Sequence, residues 1–218
     1  MPDCRASALK AQLKKTREEK LKEAGHDRSD VYEPTFFPHD AINIVLCWNN
    51  VNSILACQCN RCVRVAAFAP RQMGSKERAQ YASFVTKDAL RLFALLVYVE
   101  LSALISAFEP KGDRILDDED LNKESLKLYL ANNNSTELDN DLEAFLNHRH
   151  KFFPVLFHSN WYEKWDSRKV LPFINTRFVG DGSYGTVYSF EIYPGYGNLS
   201  CPGLVGIHIS RVTRSLLN

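Results

Sequence analysis

The chain has 218 residues, 45% hydrophobic and 24% charged, which is enough apolar material for one domain or two small ones and excludes a wholly disordered chain. Its 27 Lys and Arg against 26 Asp and Glu leave a net charge of +1, so no overall field directs it to nucleic acid or an anionic membrane. The polar opening Met1-Pro2-Asp3-Cys4-Arg5 runs into a lysine-rich stretch, the pattern of a chain without a secretory signal. An intracellular protein, cytoplasmic or nuclear, is expected, with its six cysteines kept as thiols.

Residues 1–38 read as a charged leading helix and a connector. Ala6 to Ala24 has Leu9 and Leu13 on one side, Leu21 further along, and Gly25 as a stop. So thin an apolar stripe predicts a solvated or frayed helix. The connector pins one aromatic anchor, Phe36-Phe37.

Residues 39–168 read as a helical domain. Ala41 to Leu55 fits either a helix that turns Ile44, Leu46, Trp48, Val51, Ile54 and Leu55 inward or a strand followed by a turn. Cys57-Gln58-Cys59-Asn60-Arg61-Cys62 follows. Three thiolates so close, with Cys47 or His39 as a fourth ligand, would suit zinc, which takes four N or S donors in a tetrahedron. The spacing differs from the common knuckles, and on a helix Cys57 and Cys59 would point about 200° apart. Small half-buried thiols with no metal are therefore expected, and a zinc module is kept as an alternative. Ser75 caps the next helix, which carries Tyr81, Phe84 and Val85 and runs on to Phe108. Its uninterrupted apolar run Leu92 to Val99, bracketed by Arg91 and Glu100, falls short of the ~20 residues of a bilayer crossing and reads as a buried central helix. Asp117-Asp118-Glu119-Asp120 lacks the glycine of a calcium loop and reads as a solvated helix start. Thr136 opens a further helix through Leu142 and Phe145, with His148, Arg149 and His150 as surface cations at its end. The aromatic tract Lys151 to Phe157 should settle on the helices, with Trp161, Tyr162 and Trp165 following; if the chain is instead an interaction module, the whole tract Phe152 to Trp165 is its binding surface.

Residues 169–218 change character, to short strand-like runs with glycine and proline between them. One strand opens at Leu171-Pro172-Phe173 and ends at Val179, and Gly180-Asp181-Gly182-Ser183-Tyr184-Gly185-Thr186-Val187 follows as Gly-x-Gly-x-x-Gly-x-Val. Backbone N–H groups that approach phosphates closely need glycine, both for the approach and for positive φ.

This loop resembles the phosphate-covering loop of a protein kinase. The segments Leu90 to Tyr98, Phe152 to Leu156 and Leu171 to Phe173 resemble the helical leader of filamentous-fungal protein-kinase-like proteins. The resemblance implies a mainly α fold: a helical leader domain followed by a β-hairpin or partial antiparallel sheet like the start of a kinase small lobe. It implies ATP with Mg²⁺ and transfer to Ser or Thr, with Val179, Gly180, Gly182, Ser183, Tyr184, Gly185 and Val187 around the nucleotide. His208 stands where a kinase has its third-strand lysine, or else belongs to an unrelated strand, and no His-Arg-Asp or Asp-Phe-Gly motif is present. By itself the chain is expected to be catalytically incomplete. The competing expectation is a helical interaction module whose hairpin binds no nucleotide.

Overall fold

The leading segment forms helix α1, Arg5–Glu23, in a computed structural model that describes residues 4–26, 32–69, 73–108, 121, 126, 136–158, 168–182 and 185–198. The helices α2, His39–Val45, α3, Trp48–Leu55, α4, Asn60–Ala66, α5, Ser75–Asp88, and α6, Leu90–Tyr98, follow in order. A 3₁₀ turn, Ser102–Ala107, and helix α7, Thr136–Arg149, come next. Strands β1, Phe157–His158, β2, Phe173–Gly182, β3, Gly185–Ile192, and β4, Gly197–Asn198, complete the described elements. The fold is thus mainly helical with an antiparallel β2–β3 pair and a short parallel β1–β4 pair. It divides into two compact units, one of Met1–Arg17 with His39–Phe153 and the other of Glu18–Pro38 with Pro154–Asn218. The division falls within α1, after Arg17.

The first unit is built around α6, in which Leu90 and the six residues from Leu92 to Val97 are all buried. A helix apolar on every side is stable only when neighbours cover all of it, and α2, α5, α7 and the 3₁₀ turn contact it. No helix among the described residues is long and apolar enough to cross a membrane. The expected continuous helix to Phe108 is broken twice. It breaks at Ala89, between α5 and α6, and again after Tyr98, where Glu100 takes a φ of 62°. The N–H of Leu101 reaches the Leu96 carbonyl at 2.7 Å and that of Glu100 the Val97 carbonyl at 3.1 Å, the paired bonds that close a helix through a left-handed residue. Gly74, not Ser75, caps α5, and its N–H donates to the Glu77 carboxylate at 2.7 Å.

Ala41 to Leu55 is helical, but as two helices. The break at Leu46-Cys47 resets the phase, so Ala41, Ile42, Val45, Leu46, Val51 and Ile54 are buried while Ile44 is 53% and Trp48 42% exposed. Helix α1 is not frayed either: Ala6, Leu13 and Thr16 are buried, because small Ala6 and half-apolar Thr16 extend a stripe that leucines alone make look thin. Lysine stems cover more of the surface: Lys10 and Lys14 place their ammonium groups 5.4 and 5.5 Å from the Tyr98 ring centroid.

His148 is not a surface cation. Its ring meets the Tyr98 ring at 5.1 Å, and burial, then Lys151, Lys10 and Lys14, hold its pKa below the usual histidine value. Arg149 donates to the Leu121 carbonyl at 2.7 Å. The aromatic tract divides: Phe152 lies 5.5 Å from Tyr98, whereas Phe157 joins Phe173 and Phe190 in the second unit. The residues Asp117 to Asp120, Trp161, Tyr162, Trp165 and His208 lie outside the described residues.

In the second unit Leu21, Phe36, Ile174, Tyr193 and Tyr196 make one cluster, and Phe157, Phe173 and Phe190 make another, with Phe173 and Phe190 stacked at 3.7 Å. Phe36 is the expected anchor, meeting Tyr193 and Tyr196 edge-on at 5.5 and 5.7 Å. Helix α1 ends at Gly25, whose φ of 90° lets its N–H bond Lys22 and that of His26 bond Leu21, both at 3.0 Å. A Cβ on Gly25 would also meet the Asn175 side chain at 3.3 Å.

Gly25→Ala is expected to destabilise the protein by about 1–2 kcal/mol, the left-handed cost of an L-residue, measured as a lower chemical-denaturation midpoint; an unchanged midpoint would contradict this ending of α1. As pH falls through the ordinary histidine range the unfolded chain takes up a proton at His148 before the folded one, so stability should fall with it. His148→Gln should flatten that slope by no more than about 1.4 kcal/mol per pH unit, the limit for one proton, and equal slopes would mean that His148 titrates normally.

Candidate functional site

Two places gather chemistry-bearing groups. The first is the far end of the β2–β3 hairpin, where Gly180 pairs with Val187, Asp181 with Thr186, and Gly182 with Gly185. Strand β2 continues past Val179 to Gly182, so the outer glycines belong to the ladder. Only Ser183 and Tyr184 separate the strands, and both lie outside the described residues. A two-residue connection is the commonest way to join antiparallel strands.

Two bulges shape β2. At Asn175, φ 54°, two β2 residues lie opposite Phe190, and the Asn175 amide donates to the Glu191 carboxylate at 3.0 Å. At Val179 an extra residue enters between the pairs Phe178–Tyr188 and Gly180–Val187. A bulge sets two consecutive residues against one on the partner strand. Val179 and Gly180 thus stand together opposite Val187, the arrangement that brings the two sequence-predicted valines to one level of the hairpin. Val179 is 61% exposed, beside exposed Phe178.

Gly180 departs from the sequence argument. Its φ is not in the left-handed region, and a Cβ placed on it would meet nothing within 4 Å. Neither the turn nor the packing of the hairpin requires glycine there. What glycine provides at 180 is clearance above the backbone.

The second place is the α3–α4 connection. Helix α3 ends at Leu55, so Cys57 and Cys59 sit on non-helical backbone and only Cys62 is helical. The 200° separation expected on a helix does not arise. Cys59 is the N-cap of α4, in extended conformation, and its Sγ accepts from the Cys62 N–H at 3.5 Å. The fourth member of the group is neither Cys47 nor His39. It is Cys4, immediately ahead of α1, and the Sγ atoms of Cys4, Cys57, Cys59 and Cys62 all lie within 4.8 Å of one another. Cys4 and Cys62 are separated by 3.6 Å. Cys62 is buried and the other three half-buried, while Cys47 is exposed.

The four thiols share their protons unevenly. Burial works to raise Cys57, but N–H groups of Cys59 and Arg5 and the thiols of Cys59 and Cys62 outweigh it and bring it down to about 7. Burial is also the largest influence on Cys4, again outweighed by hydrogen bonds, chiefly from Ser7, that lower it. For Cys59 the Cys62 N–H works downward, yet burial with Cys4 and Cys57 as neighbours leaves it raised. Burial first, then Cys59 and Cys4, push Cys62 strongly up.

Polar contacts fix the surroundings. The Arg5 guanidinium donates to the Ser53 carbonyl at 2.9 Å and its hydroxyl at 3.1 Å, tying the start of α1 to α3. The Glu100 carboxylate meets Lys10 of α1 at 3.2 Å and Arg61 of α4 at 3.1 Å. A cavity of about 150 Å³ borders Cys57 and Cys62, with Ile54, Ala66, Met73 and Ser106 among its other walls. The sequence reading missed Cys4; the one signal it offered was a cysteine two residues ahead of the first buried position of α1.

Comparison with protein-family models, with curated proteins and with solved structures gives no match.

Proposed function

We propose that the β2–β3 hairpin is the opening hairpin of a protein-kinase-like small lobe that lays its glycine backbone over the phosphates of ATP, with the helical residues before it as a leader. The observation that carries this reading is Gly180, a glycine that neither backbone angle nor packing requires, beside a terminal Gly182–Gly185 pair with two residues between. Clearance of that kind is what a main chain needs when N–H groups approach phosphate oxygens. Exposed Val179, brought level with Val187 by the bulge, supplies an apolar flank for the adenine ring. Mg²⁺ would arrive with the nucleotide, bridging its phosphates. The substrate class implied is a Ser or Thr hydroxyl of a protein. Nucleotide contact, not phosphoryl transfer, is the role given to these residues, because the sequence has no lysine after Lys169 and no His-Arg-Asp or Asp-Phe-Gly motif.

Titration of the isotope-labelled chain with Mg-ATP should shift the amide signals of Gly180, Gly182, Gly185 and Val187 and leave those of α6 in place. Gly180→Ala should weaken that response several-fold while keeping or raising stability by about 0.5 kcal/mol, since alanine costs less than glycine within a strand. Absence of any shift in the wild-type hairpin at millimolar nucleotide would overturn the reading in favour of a simple connector.

A further inference from the structure

We infer that Cys4, Cys57, Cys59 and Cys62 form a mononuclear tetrathiolate metal site, with zinc as its ion, that fastens the start of α1 to the α3–α4 connection. The inference rests on the convergence of four sulfurs from two distant parts of the chain. A tetrahedral zinc centre with Zn–S bonds of about 2.3 Å has sulfur–sulfur edges of ~3.8 Å. The Cys4–Cys62 separation is 3.6 Å, and every pair of the four is within 4.8 Å. A disulfide would draw one sulfur to one partner. Here each sulfur is near all three others, the arrangement that a central cation satisfies and that thiols by themselves have no reason to adopt.

The backbone around the sulfurs is organised in the same sense. N–H groups of Ser7 and Ala6 face Cys4, those of Arg5 and Cys59 face Cys57, and that of Cys62 faces Cys59. Donors aimed at ligand sulfurs orient them and spread the negative charge of a centre with more thiolates than the ion can neutralise. Arg5 and Arg61, next in sequence to Cys4 and Cys62, add positive charge to the same stretch. Two of the four, Cys57 and Cys62, border a cavity.

Four soft sulfur donors select zinc over magnesium or calcium. With all positions filled by protein, none is left for water or substrate, so the centre is structural. On binding, the S–H protons pass to solvent and four Zn–S bonds form, with no change in oxidation state. The ligation joins residues 4 and 57, far apart in the chain, and metal binding is in that sense part of folding.

The test uses the full chain, expressed with added zinc and purified under reducing conditions without chelator. Elemental analysis should find about one zinc per chain, and exchange for Co²⁺ should give the intense visible d–d and sulfur-to-cobalt bands of a tetrathiolate. Cys4→Ser and Cys62→Ser should each lose stoichiometric zinc, and Cys47→Ser should keep it. If a serine variant does not fold, the cobalt spectrum of the wild-type chain still decides. Wild-type protein without zinc, zinc retained in full by Cys4→Ser, or a Cys4–Cys62 disulfide in the freshly purified chain would each overturn the assignment.

Discussion

One carboxylate sets the geometry of the helical unit. Glu100 holds Lys10 and Arg61 at once, and those two cations ride on the helices that bring Cys4 and Cys62 together. The residue occupies a left-handed position that glycine normally takes, at a cost of roughly 1–2 kcal/mol. Its partners are partly exposed, so each ion pair contributes little, about 0–1 kcal/mol. Stability is therefore not what the arrangement supplies. It supplies register: the end of α6 fixes where along α1 and α4 the contacts fall, and Arg5 on Ser53 fixes the beginning of α1. These anchors hold the start of α1, and the thiol group stands at the same end.

The β unit obeys a different constraint. Its aromatic residues, Phe36 with Tyr193 and Tyr196 and Phe157 with Phe173 and Phe190, gather along one half of the hairpin. Nearer the glycines Phe178 and Tyr188 meet edge-on at 6.1 Å, and there Phe178 is exposed. Gly180 has open space above it and Val179 stands out at a bulge, so the hairpin combines a packed base with an exposed stretch at Val179 and Gly180.

Much of this was legible in the sequence where one signal dominated. The unbroken apolar run of α6, the Gly25 stop, the Phe36 anchor and the strand opening at Phe173 each follow from a local pattern. The failures share a cause in long-range contact. Ala89 carries no breaker, and Glu100 no glycine, to mark the ends of α6, because tertiary contacts and not propensity hold those bends. One continuous helical period would turn Ile44 and Trp48 inward, and the Leu46-Cys47 break shifts it. At the end of its helix His148 has the pattern of a solvated cation, and the lysines of α1 that flank it lie over a hundred positions earlier. The thiol group was half legible: its three close members are plain in Cys57-Gln58-Cys59-Asn60-Arg61-Cys62, but their non-helical backbone and the fourth sulfur at Cys4 come only from the fold.

If the helical unit closes on zinc held by Cys4, Cys57, Cys59 and Cys62, X-ray absorption at the zinc edge of the purified chain will show a single first shell of four sulfurs at about 2.3 Å, with no nitrogen or oxygen neighbour. A mixed shell containing imidazole or water, or a spectrum that matches zinc free in the buffer, would contradict it.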